Sequence, residues 1–436
     1  MKKLLDKKNR WIVAISALSF ILLLIVISVS SIKYTTIGGV KYNLSAREVA
    51  VSGSDFSELS DYSFLNAFKN METLDLRGSH LSEEKYELIV SQLDNDVNII
   101  WDVPFGDSSF SCDAEELTLT EASVDGNVDH LQYFHHLKSV TAENFESIAL
   151  LNEVIQAVRQ NNPDAGFNYS ANLYGVPVDS STEAVCLNDI EIDDVTPVEL
   201  ATELFPNIKK YEMCDCGLSD DIMGSLREKY PQIEFVWMLH ILDYNIRTDV
   251  QCFSTLCVGW RNKGDENDFS PLFKYCTELR ALDLGHWSFR DISEIRNLKK
   301  LQALIFYANG IKDVSPLADL PDLMYLDLRH NYISDVSPLA KLQNLEYCAL
   351  GNNPIKNAEV LVACQKMERL HISSVGLPMN VVIKLQKGLP KGCEFKYSDK
   401  VTDNWSADDK DRQIKNCFRK WKTIKEYHRY DDIVYY

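Results

Sequence analysis

Positive charge is scarce in this sequence. Of 436 residues, 45 are Lys or Arg against 64 Asp or Glu, a formal net charge of −19. Nucleic acid is therefore excluded as the main partner, because phosphate binding needs a surplus of cations on some face. Motifs that carry chemistry are also missing: there is no GxGxxG, GxxxxGK(S/T), HExxH or GxSxG, and no CxxC pair. The nine His are scattered, and the adjacent His135 and His136 do not make a ligand set. Asp94 to Asp96 and Asp189 to Asp194 lack the ligand spacing and the Gly of a calcium loop, so they read as solvated turns. No catalytic residue, metal, cofactor or small-molecule substrate is expected. The first 100 residues hold no Cys, which excludes a lipid-modified N-terminal Cys, and the terminal DDIVYY lacks the apolar tail of a second anchor. With 45% hydrophobic and 25% charged residues, wholesale disorder, collagen and a polytopic membrane protein are excluded as well.

One long apolar run is present. Trp11 to Ile32 is 22 residues without a charge, which as a helix spans roughly the 30 Å hydrocarbon core of a bilayer. Lys2, Lys3, Lys7, Lys8 and Arg10 against Asp6 put +4 before it, and only Lys33 follows before Lys41. That bias predicts a cytoplasmic N-terminus and an extracytoplasmic remainder. A cleaved signal peptide is the rival reading, with Ser28-Val29-Ser30 as its site, but its apolar core is usually only about 7–15 residues. The expected order is a basic cytoplasmic tail at 1–10, a transmembrane signal-anchor helix at 11–32 and a linker at 33–46. Residues 33–436 then carry −23, which keeps a long domain soluble and biases it toward basic partners.

From Leu279 one pattern returns at a constant spacing of 22: LRALDLGHWSF, LQALIFYANGI, LMYLDLRHNYI, LEYCALGNNPI and MERLHISSVGL. Its register is held at Leu279, Leu301, Leu323, Leu345 and Met367, and at Leu282, Leu304, Leu326, Cys348 and Leu370. It is held again at Leu284, Phe306, Leu328, Leu350 and Ile372. Alternating apolar residues predict a short strand with one buried face. Asn309, Asn331 and Asn353 stand where the chain leaves the strand, where a buried amide can bond the turn backbone. One coil cannot bury its own apolar face, whereas stacked coils can. The template LxxLxLxxNxI is that of the leucine-rich repeat. With the continuations Asp313 to Leu320 (DVSPLADL) and Asp335 to Leu342 (DVSPLAKL), the stretch 279–377 resembles the bacterial internalin-type repeat. That resemblance implies an exported surface protein whose concave sheet binds other proteins, and it carries over no individual contact residue.

The first half repeats at a longer period. Met71 to Leu76, Leu137 to Ala142 and Ile208 to Met213 align with Leu279 to Leu284 at spacings of 66, 71 and 71. Strand-like segments precede them at 47–51, 115–119, 183–187 and 254–258. Helical stretches follow the first three, and a similar closing coil recurs at 380–397. The expected fold class is α/β: one leucine-rich repeat solenoid over 47–397, a right-handed horseshoe or arc of short parallel strands with helices and irregular segments on the convex side. One transmembrane helix precedes it and a helical cap at 398–436 closes it. In the cap, Ile414, Cys417, Phe418, Trp421, Ile424 and Tyr427 follow a capping start at Ser406. Its other face carries eight cations between Lys410 and Arg429, which suit an anionic membrane or the acidic solenoid.

Ser79, Phe145, Cys216, Trp287 and Val375 occupy the Asn position in other coils, and Cys216 reads as a structural replacement. Cys276, Cys348 and Cys364 stand at leucine positions and read as small buried hydrophobes. Cys252 with Cys257 is the best disulfide candidate. Cys214 and Cys216 are two apart on one strand and face opposite sides.

Binding is expected on the concave face, from residues alternating with the buried leucines: Ala281, Asp283, Gly285; Ala303, Ile305, Tyr307; Tyr325, Asp327, Arg329; Tyr347, Ala349, Gly351; Arg369, His371, Ser373. Ile305, Tyr307, Tyr325 and Tyr347 are expected to form an exposed aromatic patch flanked by Asp327, Arg329, Arg369 and His371, since Tyr and Arg dominate interface energetics. The expected function is a membrane-anchored extracytoplasmic protein that recognises a protein partner, without enzymatic activity. A structural or assembly subunit of a cell-envelope complex is the alternative, and glycan binding a more distant one.

Overall fold

The computed structural model describes residues 33–241, 244–254, 266–373 and 376–398, with backbone only at residue 54 and 266–268. The expected basic tail at 1–10, the span at 11–32, Cys257 of the disulfide candidate, and all of the expected cap beyond Ser398 lie outside the described residues. Among those described, no helix is long and apolar enough to cross a membrane. The chain divides into two compact units, one holding residues up to 185 with 194–208, the other 186–193 with residues from 209 onward.

The first unit opens on a hairpin, β1 (Tyr34–Ile37) with β2 (Val40–Asn43), where a linker was expected. Three parallel strands follow, β3 (Glu48–Ala50), β4 (Thr73–Asp75) and β5 (Asn98–Ile100), paired Glu48 to Thr73 to Asn98. A second hairpin joins β6 (Asp102–Phe105) to β7 (Ser108–Ser111). Then β8 (Glu116–Leu119), β9 (Ser139–Phe145) and β10 (Gly166–Leu173) run parallel. The far end of β10 turns back into β11 (Val176–Asp179), and β12 (Ala184–Cys186) stands where the division runs. Helices α1 (Glu83–Gln92) and α2 (Ile148–Asn161) start on Ser82 and Ser147, whose hydroxyls accept from the Lys85 and Leu150 amides, satisfying one otherwise orphaned donor each. Helix α2 buries Ile148, Leu151, Val154, Ile155 and Val158, the single apolar stripe that helical spacing produces.

The second unit contains β13 (Lys210–Glu212) parallel to β14 (Glu234–Val236), the helix α3 (Asp220–Lys229) between them, and a hairpin of β15 (Met238–Ile241) with β16 (Tyr244–Arg247). A seven-stranded parallel sheet completes it: β17 (Cys252–Ser254), β18 (Ala281–Asp283), β19 (Ala303–Ile305), β20 (Tyr325–Asp327), β21 (Tyr347–Ala349), β22 (Arg369–Ser373) and β23 (Glu394–Ser398). Partners along it run Ala281, Ala303, Tyr325, Tyr347 and Arg369, one full repeat apart at every step. Each strand is thus one rung of a solenoid, and Leu282, Leu304, Leu326, Cys348 and Leu370 stack on its inner side at 0–1% exposure. Helix α4 (Met379–Gly388) closes the last described coil, as the sequence predicts.

Two features differ from expectation. Hairpin ends Ile37, Phe105, Leu173 and Ile241 recur at a constant spacing of 68, as do the strand starts Glu48, Glu116, Ala184 and Cys252. The fourth strand therefore starts at Cys252, two residues ahead of the expected 254–258, of which only Ser254 lies within the described residues, because the hairpin before it sets its start. Three hairpin turns use Gly38-Gly39, Gly106 and Tyr174-Gly175 at positive φ, the backbone that tight antiparallel turns require. Secondly, among the described residues the one before each Asn-type position is left-handed: Gly78, Asn144, Asp215, His286, Ala308, His330 and Asn352 have φ between 53 and 75°. In the sheet of seven, the amides of His286, Ala308, His330 and Asn352 donate to Tyr307, Arg329, Gly351 and Ser373 carbonyls at 2.8–2.9 Å. The left-handed residue aims its N–H at the next rung and turns the chain off the strand.

The Asn residues do what their position implies. The Asn331 Oδ1 accepts from the Ile311 amide at 3.0 Å, and its Nδ2 donates to Phe306 and Leu328 carbonyls at 2.8 and 3.0 Å. Asn309 and Asn353 repeat this with Phe289 and Leu284, and with Ile333 and Leu328. Ser79 and the Cys216 thiol keep the bond to the preceding coil, to Val51 and Leu187 at 2.9 and 3.0 Å, and the thiol also faces the Cys214 carbonyl at 3.5 Å. The DVSPL segments are explained locally. Asp313 and Asp335 accept from Ser315 and Ser337 amides at 2.8 Å, Pro starts each 3-10 turn, and Leu317 and Leu339 are buried. Cys276, Cys348 and Cys364 are 0–1% exposed.

Candidate protein-binding face

Side chains alternate along a strand, so residues flanking the stacked leucines project from the opposite face of the sheet, one row per rung. Rungs lie about 4.8 Å apart, close enough for rings on successive rungs to stack. Tyr325 and Tyr347 do so, with centroids 4.4 Å apart and planes 8° from parallel. On the third row the Arg329 guanidinium lies 5.0 Å from the Tyr307 ring centroid, and Arg369 lies 5.8 Å from that of Tyr347. Cations over aromatic faces are attracted by the ring quadrupole.

Charge on this face is paired within rungs and between neighbouring ones. Arg329 grips Asp327 with two parallel bonds, Nε to Oδ1 at 3.0 Å and Nη2 to Oδ2 at 2.6 Å. Burial works against the Arg329 charge, yet Asp327 outweighs it and holds the guanidinium above its ordinary pKa. Arg369 bonds Glu394 of the next rung at 2.6 Å, and Lys396 joins the same carboxylate at 2.9 Å. The Ser254 hydroxyl donates to Asp283 at 3.1 Å. Burial pushes the Tyr347 hydroxyl pKa upward. Gly351 leaves room for its neighbour: a Cβ there would stand 2.6 Å from the Ser373 Oγ and force that hydroxyl to shift.

The expected site residues do share this face, but the exposed aromatic patch is corrected. Ile305 is 2% exposed, Tyr325 3%, Asp327 and Arg329 1% and His371 9%, while Tyr307, Tyr347 and Arg369 are half-buried. Stacking and bidentate pairing turn these side chains toward one another. Beyond the rows read from the sequence lies a rim. His286 and His330 flank Tyr307 at ring distances of 4.9 and 5.0 Å, Asn352 bonds His330 at 2.9 Å, and Tyr332 is 64% exposed. The regular spacing of 286, 308, 330 and 352 was visible in the sequence, but those positions follow the strand and lie outside its alternation.

His135 and His136, on the first unit, are exposed and line an open cavity with Trp101, Tyr86 and Tyr133. Among the described residues no group of His, Cys, Asp or Glu has the geometry to hold a metal ion.

No family model and no curated protein matches this chain. Among solved structures it is similar to an internalin (inlF) from Listeria monocytogenes str. 4b F2365, at 17% identity over 88% of this chain and 95% of that one, with a TM-score of 0.29. An internalin C2 of the same strain is 18% identical over 53% of this chain and 82% of its own, with a TM-score of 0.25. The functional domain of InlJ from Listeria monocytogenes is 13% identical over 67% and 56%, with a TM-score of 0.27. At these scores the solenoid assignment rests on the chain's own strand register.

Proposed function

We propose that this chain is a membrane-anchored recognition protein that holds a protein partner on the rung face of the sheet β17–β23. The observation that carries the reading is the concentration of Tyr307, Tyr325, Tyr347, Arg329 and Arg369 on one regular face, because Tyr and Arg are the anchors of protein interfaces. The repeats at 279–377 resemble the internalin type, which supports the same role. The apolar run 11–32 and its +4 flank support a single-pass anchor with the solenoid extracytoplasmic. The strongly acidic solenoid favours a basic partner through long-range attraction.

Tyr325→Ala with Tyr347→Ala in the full chain tests the face. Partner recovery from surface extracts should fall at least tenfold while melting stays cooperative, and undiminished recovery refutes the assignment. Protease shaving of intact cells tests the topology: the solenoid should be cut, and its protection while a known outside protein is cut reverses the orientation.

A further inference from the structure

Tyr325, Asp327, Arg329 and Ile305 are 1–3% exposed, although they project from the face opposite the leucine stack. A sheet that packs one face on a core leaves the other wet unless something covers it. Stacking on the next rung protects one side of a tyrosine ring, and the bond to Asp327 protects one edge of a guanidinium, but neither shields the outward side. Ala281, Ala303 and Ala349 on the same face are buried as well.

We propose that the C-terminal segment 399–436 lies along this rung face and is the occupant a protein partner must displace. The first half stands on the covered face, and the second rests on the recognition role proposed above. The segment begins where the sheet ends: Ser398 closes β23 and pairs with Ser373 of β22. Length fits, since the 21 residues 410–430 as a helix reach about 31 Å, and seven rungs span about 29 Å. Charge fits too. The first ten residues carry +4 and 399–436 carries +1, which leaves −24 on 33–398, whereas 410–430 alone carries +6. Ile414, Phe418, Trp421 and Ile424 repeat at helical spacing, an apolar stripe that needs a surface. The uncharged run 11–32 suits lipid better than a face bearing Asp283, Asp327, Arg329 and Arg369.

The test uses the full chain in detergent, with a site-specific protease sequence inserted between Asp403 and Asn404. After cleavage the released fragment should co-elute with the solenoid, and Phe418→Ala with Trp421→Ala, which leaves the rungs untouched, should free it. A photo-crosslinking phenylalanine analogue at position 325 should attach within 410–430. Loss of the unmutated fragment on cleavage, its retention by the double variant, or crosslinks to 1–32 or to a second copy would each overturn the docking. Releasing the segment should also raise partner recovery about tenfold if the closed form outnumbers the open by about ten to one. If docking is observed and recovery does not change, the occupant assignment stands and the recognition role of the face fails.

Discussion

Removing the Asn331 amide tests what holds one coil on the next. The side chain is 4% exposed, accepts from the Ile311 amide at 3.0 Å and donates to the Phe306 carbonyl at 2.8 Å. Its third partner, the Leu328 carbonyl, also receives the Asn353 amide at 2.8 Å and keeps that bond. Asn331→Ala therefore orphans one donor and one acceptor in a dry interior, each costing about 1–3 kcal/mol, for a total of about 2–6 kcal/mol. Repeat arrays are stabilised by nearest-neighbour interfaces, so the loss falls between the rungs β19 and β20 and weakens both flanks. Urea unfolding followed by far-UV circular dichroism reads it as a lower midpoint, with a shallower slope if the array splits at that coil. Gln343→Ala is the matched control: its exposed amide donates to Ala340 at 3.0 Å, and its loss should stay within about 0.5 kcal/mol. An Asn331→Ala protein as stable as that control would refute the role given to the ladder.

Ala308 holds a left-handed φ of 53° where the other coils use Gly, His, Asn or Asp; relief of that strain exceeds the added unfolded entropy, so Ala308→Gly should stabilise by about 0.5–1 kcal/mol in thermal melts. A destabilised variant would refute the account. Thiol labelling of the native chain should modify exposed Cys186 first, and Cys276 and Cys364 only in denaturant, because both are buried and burial pushes their thiols up to about 12 and about 11. Labelling of all three at similar native rates would contradict the core placement. Arg247 bonds Glu212 at 3.0 Å and Asp249 at 2.8 Å. The Arg247 bonds hold the Glu212 carboxyl below its ordinary range; burial pushes Asp249 up, but Arg247 and Lys210 outweigh it and hold it low as well. Folded values below unfolded ones mean that the contribution is full above the ordinary values of 4.5 and 3.8 and is lost as pH falls through the folded values. Being partly exposed, the network should contribute about 1 kcal/mol. Melts of wild type and Arg247→Gln should thus differ at pH 7 and draw together as pH falls below the ordinary carboxylate values, and a gap independent of pH would sink the assignment.

Much of the fold was legible because its signal is periodic. The even recurrence of Leu282, Leu304 and Leu326 placed the rungs β18 to β22, and the three Asn positions identified the turn amides. Helical stretches after the first three long-period strands marked α1, α2 and α3, since an apolar stripe at helical spacing is a local signal. The hairpins were missed because their strands are too short for any periodicity test to resolve, and only turn residues such as Gly38-Gly39 and Tyr174-Gly175 announce them. Their own longer recurrence then moved β17 from its expected place.

What the sequence by itself determined is the repeat register: which residues face the core, where each coil turns, and that one coil needs the next. Alternation along a strand and the leucine spacing decide those matters within the length of a single repeat. The burial of the opposite face was decided by tertiary structure alone. Tyr325 and Tyr347, or Arg329 and Tyr307, come together only when parallel rungs bring side chains one repeat apart in sequence to about 4.8 Å in space, and exposure depends on what lies above a face. A face that reads as open from its pattern is, once folded, nearly dry at Tyr325, Asp327 and Arg329.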